Sequence, residues 1–443
     1  MPPSYEIIKD PIYGYIKIYS HEKRIIDLPI FQRLRRIKQL TGVHYVYPGA
    51  THTRFSHSIG VMHVAGIFTQ TLLDQIPGIK EIEKKYYYYL MRLWGLLHDI
   101  GHGPFSHTFD EVILKKHHMN HEILGEKIIR ELILQEFPSE IIKINDVEID
   151  LRKVASIVGA PQEEREADWP LGDKLGFSEH TAQLLDYVAH GFYSSDIIDF
   201  LLRDSYFSGA GYGYTDWQRL IYLSRPYKNR IALDKRAEIA FDNFILARLF
   251  MFSTVYFHRT VRAAEKVIQF FLKESDDKIN IFSKYVRELE NYIFLDEESI
   301  MHEPDLQMSK YRKYLLERKI PYSVISEITI PLKAETTYID LKDFMMKKEQ
   351  DLLEETGLNE GDLFIDTSEI YLNPKYYEKK ILFIDPNTNE VKERDIFSTT
   401  WGELTEIVDV VRLYLKKDLI EKHAPELRRK FEQRQRDYSR THM

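Results

Sequence analysis

Leu93-Trp-Gly-Leu-Leu-His98-Asp99-Ile-Gly-His102-Gly-Pro-Phe-Ser-His107, followed by Asp110 and by Asn120-His121, is the stretch on which the reading of this chain turns. An apolar run leads straight into an adjacent His-Asp pair, and Gly101 and Gly103-Pro104 stop the helix just beyond it. Both side chains then sit at a helix C-terminal end that opens onto a loop. A divalent cation satisfies an imidazole nitrogen and a carboxylate oxygen crowded into one volume. His57, in the upstream segment Arg54-Phe-Ser-His57, is within reach as a third ligand, and Asp196, Asp199 or Asp204 on a later helical stretch offers a fourth. Ten of the seventeen histidines lie between positions 44 and 121, a density that packing does not require and metal-assisted hydrolysis does.

The composition narrows the chemistry. At 443 residues and 44% hydrophobic content the chain can bury one large core or two to three ordinary ones. A net charge of -8 argues against a general polyelectrolyte partner for nucleic acid, and an anionic substrate would need local cations or metal. With no cysteine, disulfides, thiolate zinc sites, iron–sulfur clusters and a cysteine nucleophile are all excluded. Any metal is therefore held by nitrogen and oxygen, which suits Mg, Mn, Fe or Zn without selecting among them. The first residues lack a signal-peptide pattern, and no run approaches the ~18 uninterrupted apolar residues of a membrane span. The expectation is a cytoplasmic protein with no membrane partner.

Working outward, residues 5–19 alternate with period two around Asp10-Pro11 and predict two short strands and a turn. From Pro29 the spacing of Phe31, Leu34 and Ile37 predicts a helix with Arg33, Arg35, Arg36 and Lys38 on its other faces. Further helices are expected at 57–76, 85–99, 121–136, 139–144, 180–190, 194–206 and 234–275, with a loop at 160–178. Beyond 276, strands are expected at 328–332, 363–366 and 381–392, among helices at 280–292, 305–317, 340–356 and 400–422, and a fraying charged tail from 423. The fold class is mainly α, with a helical core over 1–275 and a smaller α+β region over 276–443.

Taken together, Arg54-Phe-Ser-His57-Ser, Leu97-His98-Asp99-Ile-Gly-His102-Gly-Pro-Phe-Ser-His107, Asn120-His121-Glu and Asp196-x-x-Asp199-Phe-x-x-Arg203-Asp204 resemble the HD-domain phosphohydrolases. Asp10-Pro-Ile-Tyr-Gly-Tyr, Ile26-Asp27 through Gln39-Leu40, and Tyr47-Pro-Gly-Ala50 are similar, more narrowly, to the deoxynucleoside triphosphate triphosphohydrolases, a family with bacterial dGTPase-like and vertebrate members. The resemblance implies an HD-domain core, metal ligation by His57, His98, Asp99 and Asp196, and catalytic roles for His107, Asp110 and His121 with His102 beside them. It implies substrate contacts at Gln39, Leu40, Arg54, Asp204, Arg248 and Tyr256. It also implies a homo-oligomer, dimer or tetramer, with an activating nucleotide read by Asp27, Gln32 and Arg35 and touched by Arg225 and Arg236. Two positions depart from the pattern: Glu6 stands where a phosphate-binding lysine is expected, and Ile197 where a basic residue touches the triphosphate.

The residue types suit the reaction so implied. Release of triphosphate from a deoxynucleoside triphosphate needs activated water, charge neutralisation and a protonated leaving group. Asp110 lies three residues after His107, within one turn, and can orient an imidazole. Arg248 and Tyr256, eight residues apart, share a helix face. Leu40 against the sugar would reject a ribose by clash. Two rival readings stay open: an HD phosphohydrolase acting on nucleoside monophosphates or cyclic nucleotides, and a nucleic-acid-binding protein using the basic 33–38 face.

Overall fold

The computed structural model describes residues 4–137, 140–159, 179–332, 338–371, 380–396, 398–400, 402–403 and 407–442; the loop expected at 160–178 lies outside the described residues. The chain opens with the hairpin β1 (Tyr5–Asp10) and β2 (Gly14–Tyr19), whose turn is tied by Asp10 Oδ1 accepting from the amides of Ile12 and Tyr13. Then come α1 (Ser20–Ile26), the single turn α2 (Pro29–Gln32) and a 3-10 turn over Arg33–Arg36. The helix expected from Pro29 is therefore shorter than its periodicity suggests.

The centre of the core is α3 (Arg54–Leu73), buried on nearly every face. It is apolar all round, as a helix enclosed by others must be. α4 (Glu81–Leu97) packs along it, with Arg92 and Glu22 forming a fully buried ion pair at 2.6 Å. The one-turn α5 (His107–Phe109) follows, then α6 (His121–Ile128), which runs on through a π turn to Ile133.

At 139–144, where a helix was expected, the structure has β3 (Ile141–Ile144) in a hairpin with β4 (Val147–Asp150). The residues alternate buried and exposed, and Asn145 at φ 55° makes the turn, so two-residue periodicity prevails over the short apolar run. α7 (Leu151–Gly159), α8 (Glu179–His190) and α9 (Ser195–Ser208) close the bundle over α3. α10 (Trp217–Tyr222) leads into β5 (Ser224–Tyr227) and β6 (Arg230–Asp234), a hairpin that the helical expectation did not include.

The single helix expected over 234–275 is two: α11 (Glu238–Met251), extended by a π turn to Tyr256, and α12 (Arg259–Ile279). They part where His258 Nδ1 caps the Thr260 amide. The stretch Lys235–Tyr256 is long and apolar enough on average to cross a membrane, and half of that window is buried inside the protein.

α13 (Leu289–Tyr292), α14 (Glu297–Met301) and α15 (Lys310–Leu316) are shorter than expected. They lead to β7 (Tyr322–Leu332), α16 (Tyr338–Thr356), β8 (Leu363–Tyr371), β9 (Lys380–Ile384), β10 (Val391–Asp395), the two-residue strands β11 (Ser398–Thr399) and β12 (Gly402–Glu403), and β13 (Ile407–Lys416). The helix expected over 400–422 is mostly that last strand, the centre of an antiparallel sheet in the order β7-β13-β8. Its β-branched alternation explains the switch: Val411, Leu413 and Leu415 enter a second core with Leu352, Leu363 and Leu427. Arg412 and Tyr414 point the other way, to the carbonyls of Phe257 and Arg259. The charged tail is helical, α17 (Ile420–His442). A second sheet, β10-β9-β6-β5, joins the two halves of the chain through the parallel pair β6 and β9.

Candidate active site

α3 and α4 bring the first group of ligand-type residues together, because His57 lies in the first turn of one and His98-Asp99 at the end of the other. His57 Nε2 is 3.0 Å from Asp196 Oδ1 and 3.5 Å from Asp99 Oδ2. His98 Nε2 is 3.3 Å from Asp99 Oδ1 and 3.8 Å from Asp196 Oδ1. Each imidazole is oriented from behind: His57 Nδ1 meets Asp199 Oδ2 at 2.8 Å, and His98 Nδ1 donates to the Gly95 carbonyl at 2.9 Å. That leaves both Nε2 atoms turned inward, and His98 Nε2 is buried without a hydrogen-bond partner. A buried bare imidazole nitrogen beside two carboxylates is the donor set of a divalent cation, so His57, His98, Asp99 and Asp196 fit one.

The charges respond to this crowding. Burial opposes ionisation of Asp99, but Arg54, His98 and His102 outweigh it and hold the carboxyl well below its ordinary range. Burial likewise opposes a charged His57, yet Asp196 and Asp199 push it up to about 10. Of the three aspartates considered as fourth ligand, Asp199 stands behind His57, bonded to Arg203. Asp204 is turned away, bonded to His52 at 2.7 Å and to the Tyr256 hydroxyl at 2.6 Å.

A second group adjoins the first. His121 Nδ1 meets Asp110 Oδ2 at 2.5 Å, and His107 Nδ1 is 3.8 Å from the same oxygen. The His102 ring stacks on His121 with centroids 3.8 Å apart, and His107 stands edge-on to both. His102 is fully buried and pushed well below its ordinary range by burial, then by Arg54 and His121. His121 is raised: burial opposes its charge, but the Asp110 carboxylate prevails. His107 is 73% exposed and forms the mouth of the group. Phe105 and Ser106, just before it, both have positive φ (63° and 50°), a strained turn for which the sequence carries no glycine signal.

Of the substrate-type residues, Arg54 touches the first group directly. Arg54 reaches Asp99 Oδ2 at 2.5 Å and Ser106 Oγ at 3.0 Å. The Gln39 backbone N–H donates to the His52 carbonyl and Leu40 is half-buried against the core. Arg248 lies buried over the Phe252 ring, its pKa pushed down to about 10 by burial despite the charges of Tyr256 and Asp196. The regulatory-type residues form two separate sets. Gln32 links the Ile26 carbonyl to Arg35, which lies over the Phe55 ring, with Asp27 exposed nearby. Arg225 and Arg236 share Asp234 at 2.8 Å each. Glu6 pairs with Lys23 at 2.5 Å, and Ile197 is in the core.

The basic 33–38 segment is only partly a solvated face, with Arg35 and Arg36 exposed. Arg33 is fully buried and donates to the carbonyls of Leu295, Ile100 and His102, while its guanidinium lies 4.1 Å from the Tyr292 ring. Tyr292 in turn donates to the Gly101 carbonyl at 2.9 Å. Arg36 pairs with Asp296 and Lys38 with Glu297, while Arg33 is held by carbonyls and a ring and Arg35 by the Gln32 side chain and the Phe55 ring. Sequence reasoning missed this clamp on the His98–His102 turn, since carbonyls distant in sequence leave no mark on an arginine's neighbours.

Residues 54–184 match the HD domain family and residues 215–381 the HD associated region. An uncharacterised protein of Methanocaldococcus jannaschii is 30% identical over 390 residues, covering 86% of this chain and 72% of that one. The deoxynucleoside triphosphate triphosphohydrolase SAMHD1 of Gallus gallus is 30% identical over 351 residues, 73% of this chain and 56% of its own length. An uncharacterised Bacillus subtilis protein is 30% identical over 315 residues, and the chain spans 65% of its length. A solved structure of a hypothetical protein from Aquifex aeolicus superposes with a TM-score of 0.71 at 26% identity, over 96% of this chain and 100% of that chain. With a helical His-Asp centre and an associated α+β region, the chain belongs to the HD-domain phosphohydrolase family, among relatives that include the SAMHD1 deoxynucleoside triphosphate triphosphohydrolases.

Proposed function

We propose that the protein hydrolyses deoxynucleoside triphosphates to deoxynucleoside and inorganic triphosphate, cutting between the sugar 5′-oxygen and the α-phosphorus. One observation carries this reading: Asp99 Oδ1 faces both histidine groups, 3.3 Å from His98 Nε2 and 3.4 Å from His102 Nε2. A phosphoryl group docked at His57, His98, Asp99 and Asp196 then lies beside the imidazoles that move protons. A divalent ion held there supplies charge neutralisation and acidifies water; the all-nitrogen-and-oxygen set suits Mg, Mn, Fe or Zn. The deoxynucleoside triphosphate triphosphohydrolases among the relatives support the substrate class.

The side chains take complementary parts. Arg54, fixed by Asp99 and Ser106, and Arg248 on the opposite helix bring cations to a polyphosphate that the net charge of -8 would otherwise repel. His121, its pKa raised by Asp110, hands a proton to the departing 5′-oxygen, and solvent-facing His107 exchanges protons with water. Tyr256 and Asp204, already bonded to each other, orient the sugar, with Gln39 and Leu40 packing beside its 2′-carbon. Asp27, Gln32 and Arg35, with Arg225 and Arg236, are the residues we assign to an activating nucleotide in a homo-oligomer. Glu6 is neutralised there by Lys23.

Product chromatography tests the reading with each deoxynucleotide singly and with all four together, in Mg or Mn. Deoxynucleoside plus triphosphate is expected, and activity only in mixtures would mark activation. Inorganic phosphate released from nucleoside monophosphates, or linear monophosphate formed from cyclic nucleotides, would replace this reading with the other HD chemistry. The double variant His98→Ala/Asp99→Ala is expected to fold, bind no metal and turn nothing over; retained turnover would overturn the site.

A further inference from the structure

A line of buried charge runs from the metal-type centre to the N-terminal hairpin. His57 Nδ1 meets Asp199 Oδ2 at 2.8 Å. Arg203 grips both oxygens of Asp199, Nε to Oδ2 and Nη2 to Oδ1, at 2.9 Å each. The same guanidinium reaches Asp10 Oδ2 at 3.0 Å, and Asp10 spends its other oxygen on the amides of Ile12 and Tyr13. Asp199 and Arg203 are fully buried and Asp10 is 5% exposed. Space for the pair is made by Gly60, one turn after His57 on α3. A Cβ there would lie 1.9 Å from Asp199 Oδ1 and 2.4 Å from Arg203 Nη2.

We propose that Asp199, Arg203 and Asp10 are positioning residues for the metal centre, and that through them the β1–β2 hairpin is part of it. An acceptor at Nδ1 fixes the His57 tautomer, turns its Nε2 lone pair toward Asp99 and Asp196, and raises the basicity of that nitrogen. Arg203 draws charge away from Asp199, and Asp10 returns it by sharing the guanidinium. Losing Asp10 therefore weakens Asp199 as an acceptor and His57 as a ligand. On β1 Asp10 is the one buried residue, Tyr5 to Lys9 being exposed, while β2 is held by Ile16 and Ile18 in the core and by Arg92 on the Lys17 carbonyl. Asp10 lies outside the residues matched as the HD domain, 54–184. Linkage is reciprocal: a hairpin that stabilises the metal-bound centre is itself stabilised by the metal.

The inference rests on the metal reading above, and the experiment separates the two. Mn2+ affinity is measured by chelator competition for the unaltered chain, Asp10→Asn and Gly60→Ala, with the absorption spectrum of the Co2+-loaded protein as a report on ligand geometry. Outer partners of ligating histidines typically change affinity by about 10–100-fold. We expect a loss of about 10-fold for Asp10→Asn, recovered in part by Asp10→Glu. A comparable or larger loss is expected for Gly60→Ala, which removes no charge. Hydrogen exchange of residues 5–19 in the unaltered protein, with and without Mn2+, needs no variant to fold and should show slower exchange with metal. Undiminished affinity in both variants, or hairpin exchange indifferent to metal, overturns the inference. Absence of divalent-metal binding by the unaltered chain would instead overturn the metal reading on which it stands.

Discussion

Replacing Arg33 by methionine tests how firmly one buried guanidinium holds the His98–His102 turn. Methionine fills much of the same space but offers no donor, so the carbonyls of Leu295, Ile100 and His102, now bonded at 3.1, 3.2 and 2.6 Å, lose their partner. Hydrogen bonds from a charged donor contribute about 1.5–3 kcal/mol each, and an orphaned buried acceptor costs about 1–3 kcal/mol. The cation–π contact with Tyr292 is worth roughly 2 kcal/mol in so dry a setting. Against these stands the dehydration of a fully buried cation, several kcal/mol, which methionine avoids. The balance is a destabilisation of about 3–5 kcal/mol, the range found when one member of a buried charged set is removed. A domain of ordinary stability, about 5–15 kcal/mol, survives that loss. Thermal scans at fixed metal concentration should show Tm lower by roughly 3–5 °C for a chain of this size. Turnover measured well below the transition should fall as well, because the His102 backbone is released. Arg33→Lys, with one ammonium for three carbonyls, should fall between the two. A Tm within about 1 °C of the parent with unchanged kcat would refute the reasoning.

Other perturbations probe neighbouring parts. The raised pKa of His121 keeps its imidazolium populated above the ordinary value of ~6.5, and the benefit disappears as pH rises through the raised value. Asp110→Asn should therefore move the alkaline fall of kcat to lower pH, and an unmoved limb in the pH profile would contradict the assigned acid. Gly101→Ala would put a Cβ 2.0 Å from the His121 carbonyl and 2.5 Å from the Gly125 amide, both backbone atoms of α6. Displacing His121 by even ~1 Å should cost on the order of 100-fold in kcat, and wild-type turnover in that variant would show that the α6 approach does not matter. Leu40→Ala should erode the preference for deoxyribose over ribose by about 10-fold, read as the ratio of kcat/KM values; an unchanged ratio removes Leu40 from sugar discrimination.

Much of the helical frame was legible because helical periodicity is a local property. The α3, α4 and α9 segments announce themselves by apolar spacing, and the ligand-type residues by their chemistry. What stayed hidden depends on distant partners. Asp196 and Asp199 are three residues apart on one helix face, so spacing cannot decide between them; Arg203 and His57, which hold Asp199, can. Arg33 among Arg35, Arg36 and Lys38 reads as one more surface cation, and its burial depends on carbonyls at 100, 102 and 295. Short apolar stretches at 141–144 and 407–416 suit either period, and pairing with β4, β7 and β8 decides for strand.

The parallel contact between β6 and β9, Ala232 to Asp234 against Leu382 to Ile384, has a consequence for the order in which the molecule is made. Every histidine of the two groups, and every aspartate near them, leaves the ribosome well before β9 does. Until β9 arrives, β6 offers a bare row of amides and carbonyls to any strand that passes. Closing a loop of nearly 150 residues is slow as well as entropically costly, so this edge is among the last to be sealed. A chain cut near 275 would keep every histidine and aspartate of the two groups, lose Tyr292 and Leu295 from behind the His98–His102 turn, and keep that edge open for good. Its failure would show as self-association as well as slowed chemistry.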